Sequence, residues 1–170
     1  MDMILALVLA QDTLADALAK KSKALESEEE RAVLAECPGI AEPADDVREI
    51  GISYHLGGKK YESQWVELTL KRQDRGWIVT WFQTYRGKGP FGHGDAGTAT
   101  VSPSKALTRY VESGDRDPKL VEHLRAIPAV NDADCVTWMN VTIVRDSRRI
   151  RVSLMKEKGE WSVDHVDFGV

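Results

Sequence analysis

Two stretches of this chain, beginning at Val66 and at Ile150, follow one pattern at a constant offset of 84 residues. "VELTLKRQDRGWIV" aligns with "IRVSLMKEKGEWSV", so that Leu68 matches Val152, Leu70 matches Leu154, Trp77 matches Trp161 and Val79 matches Val163. Each reads as an alternating strand, a charged turn and a second strand opening on tryptophan. Alternation with period two puts every second side chain on one face of a pleated sheet. A chain that uses this unit twice is held to antiparallel hairpins with one apolar face, and that face needs a covering layer.

The surrounding sequence supplies both the third strands and the cover. Ile50, Ile52, Tyr54 and Leu56 alternate through 48–56, and Gly57-Gly58 is a tight-turn pair. Strands are predicted over 61–72 and 77–86, then over 135–145, 149–157 and 161–168, with turns at "RDSRR" and "KEKGE". Ahead of the first meander, Leu14, Leu18, Leu25 and Val33 fall near one face of a helix predicted over 13–36, with "ESEEER" as its solvated face. Ahead of the second, Ser102-Pro103 and Asp117-Pro118 each pair an N-cap with a proline at the first helical position. Ala106, Leu107, Tyr110 and Val111 face inward on the first of these short helices; Leu120, Val121, Leu124 and Ile127 do so on the second. The reading is an α+β fold, antiparallel β-meanders packed against helices, in two α-βββ halves with the order α-βββ-αα-βββ. Residues 18–170 are expected to form one domain, with halves 13–86 and 101–170 joined by the segment 87–100.

That segment contains "GKGPFGHGDAG", five glycines within residues 87–97. A phosphate cradle would lead directly into a helix and end in Gly-Lys-Ser/Thr, which is missing here. The composition predicts a connector or mobile loop without regular secondary structure over about 87–98, with a cover over a ligand site as the alternative. "MILALVLA", residues 3–10, followed by Ala15-Asp16-Ala17, fits a signal segment cut near Leu18, or else the first turns of the opening helix. Export and a cytoplasmic location both stay open. If the chain is exported, Cys37 and Cys135 are the candidates for one disulfide; if it is not, they are buried thiols.

A net charge of −4 speaks against nucleic acid as the partner, because phosphate binding needs a basic field. No apolar run is long enough for a bilayer-crossing helix in the mature chain. No cofactor fingerprint or metal-ligand spacing occurs, so neither cofactor nor metal is expected. His165 with Asp164 or Asp167 is the candidate acid-base pair, since residues two apart on a strand share a face. Trp77, Trp81 and Tyr85, expected on one face of the third strand, with His93 and Asp95 in the glycine-rich segment, are the candidate ligand-binding residues. Five tryptophans all lie on predicted strands, where core packing is the competing explanation. Arg145, Arg148, Arg149, Arg151, Lys156 and Lys158 make the last hairpins locally basic; exposed charge that discourages edge pairing accounts for such a run, and an anionic partner is the alternative.

The closing "VSLMKEKGEWSVDHVDF" resembles the final hairpin of nuclear-transport-factor-like and cystatin-like α+β folds, where a charged turn with glycine precedes a tryptophan and alternating apolar residues. The likeness covers this hairpin alone, and those folds do not usually insert two helices between three-strand meanders. It implies no reaction, since such folds serve enzymes, binding modules and assembly modules alike. The function expected is a non-catalytic binding or protein-interaction module for a protein or small-molecule ligand. The alternative is a small-molecule enzyme with its pocket between sheet and helices.

Overall fold

The computed structural model describes residues 12–58, 60–61, 63–87 and 94–169. Residues 3–10 of the signal-like segment lie outside these. The elements are α1 (Leu14–Ala24), α2 (Glu28–Ala35), β1 (Val47–Leu56), β2 (Gln64–Gln73), β3 (Gly76–Arg86), α3 (Pro103–Glu112), α4 (Pro118–Arg125), β4 (Val136–Arg145), β5 (Arg148–Glu157) and β6 (Glu160–Gly169). The fold is α+β, with helices packed on a six-stranded antiparallel sheet of order β3-β2-β1-β4-β5-β6.

The opening helix is broken where the sequence suggested continuity. Thr13 starts α1 with a capping box to Asp16, and the Ser27 hydroxyl accepts from the Glu30 N–H to start α2. Between them the Leu25 carbonyl accepts a hydrogen bond from the Arg31 guanidinium at 2.5 Å. A serine followed by three glutamates is a helix start in its own right, with acidic side chains against the positive end of the dipole. Each half is therefore αα-βββ. Ala15-Asp16-Ala17 lies inside α1, and Leu14 and Ala17 are buried in the core.

The two meanders meet at the β1–β4 pair. Counterparts in β1 and β4 are 89 residues apart, as Val47 and Val136 are at their first residues, while β2/β5 and β3/β6 keep the offset of 84. Ile52 pairs with Val141, which is also its counterpart. A local twofold axis perpendicular to the sheet thus passes through that pair. Further features repeat under it. The β2–β3 register slips between Thr69 and Leu70, leaving Thr80 as a bulge, and the β5–β6 register slips between Ser153 and Leu154, leaving Asp164 as a bulge. Thr80 and Asp164 are themselves counterparts.

A basic clamp also repeats. Arg72, at the end of β2, donates to the carbonyls of Val47 (3.0 Å) and Ala44 (3.1 Å) and lies 4.6 Å over the Trp77 ring. Its counterpart Lys156 donates to the carbonyls of Ala133 (3.1 Å) and Gly97 (2.5 Å) and to Asp132 Oδ1 (3.1 Å), 5.4 Å from the Trp161 ring centre. Both clamps tie the end of a meander to the segment that enters its first strand. Lys156 is 1% exposed, so burial is offset by a full set of acceptors. This corrects the reading of the last hairpins as uniformly solvated charge: Lys156 is core, and Arg145 is ion-paired with Asp46 (2.5 Å) and Glu122 (3.5 Å).

The helix-side face carries the core, from Ile50, Ile52 and Tyr54 through Val66, Leu68 and Leu70 to Ile143, Ile150 and Val152. His123 on α4 is a core member the apolar pattern did not mark. Its Nδ1–H donates to the Lys119 carbonyl (2.8 Å) and its ring packs edge-on against Phe168.

Of the glycine-rich connector, Gly87 and residues 94–98 carry no regular secondary structure, while Phe91 and His93 lie outside the described residues. Its downstream end is pinned: Asp95 N–H donates to the Lys156 carbonyl and Gly97 N–H to the Asp134 carbonyl, both at 2.7 Å. A Cβ on Gly94 would run into the carbonyls of Thr137 and Lys156, so glycine is required there by contact.

Cys37 and Cys135 are free thiols, not the disulfide expected of an exported chain. Each has other neighbours. Burial pushes the Cys37 thiol up to about 12, with Sγ donating to the Pro38 carbonyl at 3.6 Å. Burial also raises Cys135, followed by the nearby Glu36 carboxylate.

Candidate functional site: the uncovered face of the sheet

Only one face of the sheet is covered by helices. Strand register lays out the other face as four rows running across the strands from β3 to β6. One row reads Ile78, Lys71, Glu49, Val144, Arg149; the next reads Trp81, Thr69, Gly51, Thr142, Arg151, Asp167. The third is polar throughout: Gln83, Glu67, Ser53, Asn140, Ser153, His165. The fourth is aromatic in its first four members: Tyr85, Trp65, His55, Trp138.

The aromatic row is a packed wall in which His55, Trp65 and Trp138 are buried and Tyr85 alone is exposed. Trp65 stacks on Tyr85 with 12° between planes and a 6.4 Å centroid separation, and meets Trp138 edge-on at 5.3 Å. His55 lies 4.7 Å from Trp65. The Gly87 carbonyl accepts from Trp65 Nε1–H (3.0 Å) and from the Ser63 hydroxyl (2.9 Å). Ser63, having given its proton to Gly87, accepts from His55 Nε2, and His55 Nδ1 is hydrogen-bonded with the Thr137 hydroxyl at 2.5 Å. This network ties β1, β3 and β4 together behind the wall.

Beside the wall the face opens into a hollow of about 420 Å³ lined by, among others, Gly51, Ser53, Glu67, Trp81, Tyr85, Asn140, Thr142, Arg149 and Arg151. Its volume is within the range of small-molecule sites. Gly51 contributes no side chain at the middle of the floor, and Thr69 and Thr142 flank it. Trp81 (54% exposed) and Tyr85 (37%) stand at one end. Desolvation raises the Tyr85 phenol, helped by the Glu67 carboxylate. Arg149 and Arg151 stand at the other end, exposed and without an ion pair among the described residues.

The structure separates the sequence candidates. Trp77, Trp81 and Tyr85 do not share a face. The Thr80 bulge reverses the alternation, so Trp77 (1% exposed) packs in the core under Arg72 while Trp81 and Tyr85 point to the uncovered side. His165 and Asp167 do pair, Nε2 to Oδ1 at 2.7 Å, with side chains 61% and 57% exposed on the uncovered face. Asp164 is the bulge residue beside them. Asp95 belongs to the connector anchor, where its Oδ2 accepts from the Lys158 N–H at 3.2 Å. Among the described residues no group of three or more His, Cys, Asp or Glu is arranged to hold a metal ion. A second hollow, about 280 Å³, lies between α3 and α4 and is lined by Leu107, Val111, Leu124 and Pro128 among others.

What sequence reasoning missed is the site itself: Gly51, Glu67, Thr142, Arg149 and Arg151 share a hollow only because β1 and β4 pair across the two halves. The signal available was the odd positions of β1, small or polar against apolar even ones. No protein-family model matches the chain, and neither the curated proteins nor the solved structures include a match.

Proposed function

We propose that the protein is a non-catalytic binding module and that the uncovered face of its sheet is the binding surface. The observation that carries this is the hollow at Gly51, where exposed aromatic rings and unpaired charges face one cavity on a rigid sheet. Exposed tryptophan and tyrosine beside satisfied neighbours are how binding surfaces obtain contact area at low entropic cost. The enzyme alternative has less support. His165 and Asp167 are open to solvent, and His165 is not among the residues lining the hollow. A general base is instead held at the wall of a site that excludes water.

The test is a fragment screen of mixed small molecules and short peptides, read by amide and indole NMR shifts. The reading predicts that hits cluster on Gly51, Trp81, Tyr85 and Thr142, with Trp81→Ala weakening them about tenfold or more. Hits confined to the α3–α4 hollow, or none on the sheet, would reject it.

A further inference from the structure

The distribution of charge around the hollow is unlike that of the scaffold beneath it. Under the local twofold axis Glu67 is the counterpart of Arg151, Trp65 of Arg149 and Trp81 of His165. The buried face repeats its chemistry in the two halves; the uncovered face opposes it. One end of the hollow therefore holds the Glu67 carboxylate with Trp81 and Tyr85, and the other holds two guanidinium groups; Glu49 also lines it but is paired with Lys71 at 3.9 Å.

We propose that this hollow binds a dipolar ligand. A cationic group, an ammonium or quaternary ammonium, sits against Glu67, Trp81 and Tyr85. An anionic group, a carboxylate or phosphate ester, sits on Arg149 and Arg151. This rests on the binding-face reading above and gives it a ligand class. Aromatic faces attract cations through their quadrupoles, and a nearby carboxylate adds to that attraction. Paired guanidinium groups suit planar oxyanions. Neither Glu67 nor the two arginines make an ion pair within the chain among the described residues, so each charge is available to a ligand.

Geometry limits the ligand's length. Glu67 on β2 and Arg151 on β5 are three strand spacings apart, roughly 14 Å across the sheet at about 4.8 Å per strand. Both side chains line the hollow, and their lengths shorten the gap to be bridged, so the ligand's charges should lie about 6–10 Å apart. Gly51 leaves room between them for an uncharged middle, flanked by the hydroxyls of Ser53, Thr69 and Thr142.

A second copy of the chain is the competing occupant, since an acidic and a basic half could meet face to face. The surface argues against it. The exposed large apolar side chains among the described residues are Ile78, Trp81 and Tyr85, all on β3, and the centre of the face is a polar pit. Stable dimers bury an apolar centre with a polar rim, the reverse arrangement.

The experiment uses three probes: tetramethylammonium, acetate and ω-trimethylammoniohexanoate. Tetramethylammonium should shift the Trp81 indole N–H, acetate the Nε–H signals of Arg149 and Arg151, and the two-ended probe both sets. The two-ended probe should bind at least about tenfold more tightly than either one-ended probe, because its second contact is intramolecular. Glu67→Gln should remove the cation response and leave the anion response; Arg149→Gln with Arg151→Gln should do the opposite. Equal affinity for one-ended and two-ended probes, or shifts away from these residues, would overturn the dipolar ligand. If the fragment screen still maps to Gly51 and Trp81, the binding face survives that result. A dimer in sedimentation that Trp81→Ala dissociates would also overturn the proposal, in favour of the second copy.

Discussion

Trp77 and Trp161 occupy equivalent places in the two halves, each buried beneath a basic side chain that grips the entry to its own meander, and they differ in that Trp161 Nε1–H donates to Asp132 at 2.7 Å. Four residues further along the same strands, Trp81 and His165 are also equivalent and share nothing but exposure. The difference lies in what each face must satisfy. The helix-side face has to exclude water, which leaves few acceptable side chains and keeps the halves alike. The face without helices is open around Trp81, Arg149, Arg151 and His165, so those residues differ without cost to the scaffold, while its aromatic row at His55, Trp65 and Trp138 is buried. Equivalence inside and opposition outside separate the positions that build the fold from those available for function.

The strongest test of the equivalence is to remove the paired tryptophans. Trp77→Ala and Trp161→Ala should each cost about 3–5 kcal/mol in urea unfolding, similar to one another. A gap between them of several kcal/mol would break the comparison, since it would mean that only one half depends on its clamp.

The clamps themselves should differ in a graded way. Lys156→Met strands Asp132 and should cost about 3 kcal/mol, in the range for one partner of a buried pair. Arg72 is more open to solvent, and Arg72→Met should cost about 1–2 kcal/mol, chiefly for hydrogen bonds to carbonyls. A pH series sharpens this. Partial burial of Asp132 opposes its ionisation, but hydrogen bonds from Trp161, the Ala99 N–H and Lys156 outweigh it and hold the carboxyl below its ordinary value. A depressed carboxylate stabilises the fold above its unfolded pKa, and that contribution is lost as pH falls through the folded value. Stability should therefore decline below about pH 4, and Asp132→Asn should flatten part of that decline.

Much of the scaffold was legible in the sequence because it is written in period two. The matched stretches at Val66 and Ile150 marked the β2–β3 and β5–β6 hairpins, and Ser102-Pro103 and Asp117-Pro118 marked two helix starts. The break at Ser27 was also written locally, but the longer apolar spacing of Leu14, Leu18, Leu25 and Val33 masked it. Trp77 was misplaced for a different reason: a bulge inserts one residue without changing the apolar character of the strand, so alternation counted from Trp77 reaches the wrong face at Trp81. The hollow was not legible, since its floor exists only where Gly51 meets Thr142 across the halves.

The start of the chain gives a smaller effect. A chain beginning at Leu18 lacks buried Leu14 and the Thr13 cap, and should be about 2–3 kcal/mol less stable than one beginning at Asp12. Equal stability would remove α1 from the shared scaffold. Smaller still is the thiol response. Native protein should show Cys37 unreactive toward a thiol reagent and Cys135 slow, with both reacting after denaturation without reductant. A missing thiol in that titration would contradict the free pair.

The most direct measurement makes the uncovered face match its own counterpart. In the double variant Glu67→Arg, Trp81→His, each first-half residue becomes the one found in the second half. If the buried face builds the fold and the uncovered face binds, this variant should unfold within about 1 kcal/mol of the parent, as surface changes do. It should also bind ω-trimethylammoniohexanoate at least about tenfold more weakly. A loss of several kcal/mol with binding retained would contradict the account, because it would place the fold's requirements on the face assigned to function.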